Sequence, residues 1–371
     1  MHPTPGARHS APGTRHSAPG TLHPAPLRIA HIAPVATTIP PPKSGSVETM
    51  TSLLTEGLVA AGHDVTLFAT GDSTTNARLE AIYPHGYWHD STMWPWELYE
   101  MLNLASAVER AADFDVIHYE AAYYPISLAF TRLCSTPIVQ TLHHSPNEAE
   151  VRLWRRYPEA PFVAISAEQA SLLAGLNIVD TVPHGVDTDR FTFRATPDDY
   201  LLFLGRFTEG KGVLQAIEIA KRLDMRLILA AADDEYYRDK IANHVDGTRI
   251  VYFGEADFDA KVALYGGARA LLYPIQKREP FGLVLAEAMA CGTPVAALDR
   301  GAVREVVDEG VTGMIFSDLD ELVNGLPRVF ELDRHQVRAR AVDKFSVQRM
   351  VNAYSEVYQR IVEAHRGSAA R

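Results

Sequence analysis

Leu27-Arg28-Ile29-Ala30-His31-Ile32-Ala33 is an apolar run of strand length. The loop Pro40-Pro41-Pro42-Lys43-Ser44-Gly45-Ser46 follows it. Then come Val47, Met50, Leu54, Leu58 and Ala61, whose spacing of three and four residues places one apolar stripe on a helix. Gly62-His63 closes that helix, and Val65-Thr66-Leu67-Phe68-Ala69 reads as the next strand. A strand–helix–strand order predicts a parallel sheet. The alternation continues with strands expected near 115–119, 137–142 and 161–165. It restarts with a strand at 200–204, a helix at 213–223 and a strand at 226–230. Further strands are expected at 249–253, 270–273 and 294–297, and the chain from 346 onward is helical by pattern. The fold class is therefore α/β, with two doubly wound parallel-sheet units joined near 184–198. Such sheets take ligands at the carboxyl ends of their strands, and two facing units leave a cleft.

The chain has 371 residues, enough for two domains at about 150 residues each. Hydrophobic residues make up 47 % and charged residues 22 %, within the usual range for a globular protein. No run of about 18 apolar residues predicts a membrane span. The two cysteines, Cys134 and Cys291, fall in different halves, suggest no disulfide framework and fit a reducing cytoplasm. A formal net charge of −11 argues against nucleic acid as a partner. The charge is uneven: residues 27–190 hold 9 basic and 19 acidic residues, while 191–371 hold 24 and 27. Residues 1–26 contain Arg-His-Ser-Ala-Pro-Gly-Thr twice in succession, at 8–14 and 15–21. This composition predicts a disordered low-complexity tail with no signal-peptide core.

Two segments carry chemistry. Leu204-Gly205-Arg206-Phe207-Thr208-Glu209-Gly210-Lys211-Gly212 lies between a predicted strand and helix. Arg206, Lys211 and a glycine-opened helix N-terminus suit an anion, though a surface loop with a Glu209 ion pair has the same pattern. It is not a Walker loop, and the single Gly45 after the first strand does not make a dinucleotide fingerprint. The second segment is Glu279-Pro280-Phe281-Gly282-Leu283-Val284-Leu285-Ala286-Glu287, followed by Ala288-Met289-Ala290-Cys291-Gly292-Thr293-Pro294. Pro280 and Gly282 break the chain between the two glutamates. Glu279 is expected beyond a strand's carboxyl end, and Glu287 about one turn into the next helix. The Phe281, Gly282 and Leu283 amides would then point from a helix N-terminus into the cleft.

The span from Glu279 to Glu287 resembles the E-x7-E signature of retaining glycosyltransferase family 4. The resemblance extends over nearly all of 27–365. It includes Gly62-His63-Asp64-Val65, Thr141-Leu142-His143, Phe162-Val163-Ala164-Ile165-Ser166, His184-Gly185-Val186-Asp187 and Leu204-Gly205-Arg206. It implies the GT-B fold and divides the chain into four parts. These are the tail 1–26, an acceptor-side domain 27–190, a nucleotide-sugar domain 191–345, and a final helix 346–371 crossing back to the first domain. It implies that Arg206 and Lys211 bind the donor diphosphate and that Glu279 meets the transferred sugar. Phe281, Gly282 and Leu283 would offer amides, Glu287 would hold the ribose, and His143 would stand beside the sugar, with His144 as an alternative. Gly45 and Ser46 would approach the donor phosphate. Relatives with the same Pro-Pro-Lys lead-in usually continue Tyr-Gly-Gly-x-Glu, whereas this chain has Ser44-Gly45-Ser46-Val47-Glu48.

Asp113-Phe114-Asp115, Asp257-Phe258-Asp259 and Asp318-Leu319-Asp320 are read as turn and helix-start caps, with no catalytic metal expected. Trp88, Trp94 and Trp96 lie within nine residues, beside Tyr83, Tyr87 and Tyr99. They make either a buried local cluster or an aromatic platform for an acceptor. The implied reaction moves a hexose from a nucleoside-diphosphate sugar to an acceptor hydroxyl with retention. The donor is a co-substrate, and no permanent cofactor is expected. UDP-glucose is the first choice of donor and GDP-mannose the second. The acceptor is a small molecule, a saccharide or a natural product. Front-half acidity argues against docking on anionic lipid, although Arg152, Arg155 and Arg156 form a local basic patch. A GT-B phosphorylase or synthase and a non-catalytic nucleotide-sugar binder remain open, and nothing here fixes the oligomeric state.

Overall fold

The structure is a computed structural model and describes residues 25–122 and 124–369. The expectation of a disordered tail covers residues 1–26, of which 1–24 lie outside the described residues. The first unit runs β1 (Arg28–Ile32), α1 (Ser46–Ala60), β2 (Asp64–Phe68), β3 (Arg78–Glu80), α2 (Trp96–Val108), β4 (Val116–Ala121), β5 (Ile138–Leu142), α3 (Glu148–Trp154), β6 (Pro161–Ala164), α4 (Ala167–Leu172) and β7 (Asn177–Thr181). The second runs β8 (Leu201–Leu204), α5 (Val213–Arg222), β9 (Leu227–Ala230), β10 (Ile250–Gly254), α6 (Phe258–Gly267), β11 (Ala270–Tyr273), α7 (Leu283–Ala290), β12 (Val295–Leu298), α8 (Val303–Val306), β13 (Gly313–Phe316), α9 (Leu319–Val329), α10 (Arg334–Phe345) and α11 (Val347–Ala369).

Seven strands pair in the order β3-β2-β1-β4-β5-β6-β7, and six in the order β10-β9-β8-β11-β12-β13. Every pairing is parallel. Central strands are buried on both faces; all six residues of β4 are buried. That is why they read as continuous apolar runs. The direction of winding reverses beside β1 in the first sheet and beside β8 in the second, and a crevice opens at such reversals. The loops after β1 and β4, and those after β8 and β11, therefore border the cleft.

The chain leaves the first sheet after β7 and returns at Ser346, which bridges to Val186. From there α11 crosses back. Its Met350, Val351, Tyr354, Val357 and Tyr358 share a core with Ile29, Leu54, Leu58 and Val116. Leu54 and Leu58 are fully buried against it, and each contributes about 2 kcal/mol of hydrophobic stabilisation.

Three strands were not expected from the sequence: β3, β7 and β13. All three are sheet edges. β3 and β7 are only half-buried, so they lack a continuous apolar pattern. One acidic triplet also departs from expectation. Asp257 and Asp318 are helix caps, accepting from the amides of Ala260 and Glu321 at 2.9 Å each. Asp115 instead accepts from the Arg28 amide at 2.9 Å and from its guanidinium, tying β1 to the start of β4.

Candidate active site

The second unit's side of the cleft is built from two loops at the β8/β11 crevice. After β8, Gly205 and Arg206 turn the chain into a short 3-10 turn, Glu209–Lys211, and α5 begins after Gly212. After β11 the chain passes through Lys277 and Glu279 to Gly282, the cap of α7. The loops are pinned by a bond from the Gln276 amide to the Gly210 carbonyl at 2.9 Å. Lys211 Nζ meets Glu279 Oε2 at 2.5 Å in a half-buried ion pair. Arg206 is exposed, with no ion-pair or hydrogen-bond partner among the described residues. Partial burial, and then the Lys211 and Arg206 charges, push the Lys277 amine down against the attraction of Glu279. Lys211 and Lys277 thus share one carboxylate, with the Arg206 charge acting on Lys277 beside them, an arrangement short of negative charge. The α7 N-terminus adds free amides to the same side.

Phe281 is buried and its ring packs edge-on against His184 at 5.0 Å, so its contribution to the cleft is its backbone. Glu287 lies in α7 and receives the Tyr265 hydroxyl at 2.7 Å. Burial raises its carboxyl, against the pull of Lys261 and Tyr265. Lys261 also reaches the Lys43 carbonyl of the first unit at 3.4 Å.

On the first unit's side, Gly45 caps α1 and leaves the Ser46, Val47 and Glu48 amides without intrahelical partners. Ser44 Oγ donates to Glu255 Oε1 across the cleft at 2.8 Å. His143 follows β5, and its ring stacks on His184 at 5.2 Å. A line of rings thus runs from His143 through His184 to Phe281, joining the two units. On the far side of His143, Nε2 meets Glu120 Oε2 at 2.7 Å. Burial pushes the His184 imidazole down to about 3, so it stays neutral. Glu48 is buried beside this group; burial raises its carboxyl, and its own backbone amide and then His143 partly oppose that.

His144 turns away from His143. It packs edge-on against Trp154 at 6.1 Å and lies 3.8 Å from Glu150. Trp96 stacks on Tyr124 at 6.2 Å. Trp88 and Trp94 are 54 % and 72 % exposed, so the three tryptophans do not form a buried cluster. Arg206, Lys211, Glu279, Phe281, Gly282 and Leu283 come together; Glu287 stands one helical turn deeper; His143, Gly45 and Ser46 face them from the other unit.

Residues 47–190 match the family model for glycosyltransferase family 4, and residues 186–343 match the model for glycosyl transferases group 1. The chain belongs to glycosyltransferase family 4. A phosphatidyl-myo-inositol mannosyltransferase of Mycolicibacterium smegmatis is 28 % identical over 353 residues, covering 86 % of this chain and 88 % of that protein. The sucrose-phosphate synthase of Thermosynechococcus elongatus superposes with a TM-score of 0.74 at 20 % identity, over 91 % of this chain and 99 % of that one. HepE of Anabaena, solved in complex with UDP and glucose, superposes with a TM-score of 0.67 at 16 % identity, over 90 % and 99 %. This family 4 enzyme is a transferase with the GT-B fold. No helix among the described residues is long and apolar enough to cross a membrane.

Several residues of this glycosyltransferase site escaped the sequence reading. Lys277 sits two residues before Glu279 in a loop with no helical spacing to flag it. Glu48 ended the Ser44-Gly45-Ser46-Val47-Glu48 loop with no role assigned to it. Glu120, His31 and His118 carried a faint signal: each is a polar residue inside or ending an otherwise apolar strand.

Proposed function

We propose that this glycosyltransferase moves a hexose, with retention and without a metal, from a nucleoside-diphosphate sugar to a hydroxyl of a small-molecule or saccharide acceptor. The observation that carries the reading is the group of Arg206, Lys211 and Lys277 around the single carboxylate of Glu279. Such a cluster is balanced by a diphosphate, and the same groups stabilise charge that builds on it as the sugar leaves. Glu279 meets the sugar hydroxyls, Glu287 the ribose, and the amides of Phe281, Gly282 and Leu283 the phosphate and sugar. Gly45 and Ser46 approach the phosphate from the acceptor-side domain, 27–190, while 191–345 holds the nucleotide. In the reaction the acceptor oxygen bonds to the anomeric carbon on the face from which the phosphate departs. The phosphate oxygen takes the acceptor proton as the carbon–oxygen bond to it breaks.

UDP-glucose is the first donor to test and GDP-mannose the second. HepE, with UDP and glucose bound, supports the first; the mannosyltransferase relative supports the second. The test is Arg206→Ala combined with Lys211→Ala. Turnover is expected to fall at least a hundredfold, on the order of the loss of one preorganised charge-stabilising donor or more. Turnover within a few-fold of wild type would remove the diphosphate assignment. The exposed Trp88 and Trp94 favour the aromatic-platform reading of that segment over a buried cluster.

A further inference from the structure

Glu120 is the penultimate residue of β4 and is 2 % exposed. Its two oxygens serve two imidazoles: Oε1 lies 2.8 Å from His31 Nε2, and Oε2 lies 2.7 Å from His143 Nε2. Both rings must donate, because an ionised carboxylate only accepts. Burial pushes Glu120 up, and His118, His143 and His31 together hold it well below the usual carboxylate range. The other nitrogen of His31 meets Thr55 Oγ1 of α1 at 2.7 Å. His118 stacks on His31 at 4.9 Å and bonds Thr141 at 2.8 Å and the Tyr358 hydroxyl of α11 at 2.7 Å. His31, His118 and Glu120 have metal-ligand spacing. However, both nitrogens of each ring already have protein partners, so the cluster is a hydrogen-bond network.

We propose that Glu120 is the positioning residue of His143. It accepts the Nε2–H, fixes that tautomer, and leaves Nδ1 as the ring atom offered to the donor sugar. The inference rests on the reading of His143 as the residue beside the sugar. The partner on one imidazole nitrogen sets the state of the other. Neither His31 nor His118 can drift to release Glu120, because α1 and α11 hold them from opposite ends. A carboxamide at 120 would break the arrangement. It offers one acceptor and one donor where two ring N–H groups now point, so one ring must change tautomer or turn.

Two measurements test this. The first is the 15N spectrum of the imidazoles in the full chain near pH 8, with His143 assigned by comparison with His143→Gln. The expected result is His143 Nε2–H in the wild type and, in Glu120→Gln, a change of tautomer at His143 or at His31. Nδ1–H in the wild type, or no change in the variant, overturns the proposal. The second is kcat/KM for hydrolysis of UDP-glucose and of GDP-mannose by wild type, Glu120→Gln, His143→Ala and the double variant. Glu120→Gln should cost about 10- to 100-fold, as outer-shell partners of functional histidines do, and less than about 3-fold in the His143→Ala background. An equal loss in both backgrounds makes Glu120 merely structural. His143→Ala with wild-type kinetics sinks the placement of His143 instead. A wild type that hydrolyses neither donor sinks the donor reading and leaves the spectrum to decide for Glu120. If Glu120→Gln does not fold, the wild-type spectrum still decides.

Discussion

Glu100 shows how a single buried carboxyl makes stability depend on pH. It accepts from the Val35 amide at 3.1 Å and the Tyr87 hydroxyl at 3.2 Å, yet burial pushes its pKa up to about 8. Unfolded, it would titrate near about 4.3. Between these values the folded state binds the extra proton, so this contribution is full below about 4.3 and is lost as pH rises through about 8. Glu100→Gln keeps an acceptor for both donors and removes the titration. Its Tm should fall less than that of wild type between pH 6 and pH 8.5; parallel Tm curves would contradict the assignment. At this scale the residues of the proposed donor site stood out in the sequence, because Arg206, Lys211, Glu279 and Glu287 each sit in a contiguous motif. Glu120 did not, because its meaning comes from partners 89 positions before it and 23 after it. No window of sequence contains that pairing.

The elements place those residues by a few close approaches. Gly301, in the turn after β12, has φ +61, and a Cβ there would stand 2.3 Å from the Glu279 amide nitrogen. The Ala302 amide holds the Glu279 carbonyl at 2.9 Å, so this turn clamps the backbone of a donor-site residue. Gly310 has φ +74 but open space around it. Gly301→Ala and Gly310→Ala should both cost about 1–3 kcal/mol from backbone strain. Only Gly301→Ala should also displace Glu279 and lower turnover at least tenfold. Equal turnover in the two variants, measured with equal fractions folded, would contradict the clamp. The β-α-β rhythm itself was legible from Leu27 onward because central parallel strands are apolar on both faces. The edge strands β3 and β7 were not, because exposed or half-buried residues such as Asn177 and Asp180 carry no alternating or continuous pattern.

For the whole molecule, the site exists only where two units meet. Ser44 reaches Glu255 at 2.8 Å and Arg278 reaches Glu168 at 2.5 Å, so contacts flank the cleft on both sides. The helix α11 returns to the first sheet and shares its core, linking the two units by a second crossing of the chain. The acidic front half, with 19 acidic against 9 basic residues, gives the proposed acceptor side a net negative charge. The cations beside Glu279 in the back half carry the opposite sign, as the proposed diphosphate requires. The most direct test of the account is calorimetric titration of the full chain with UDP-glucose and GDP-mannose, repeated on the Arg206→Ala, Lys211→Ala double variant. The account predicts saturable binding of at least one donor that weakens at least tenfold in the double variant. Binding of neither donor, or the same affinity in both proteins, would contradict it.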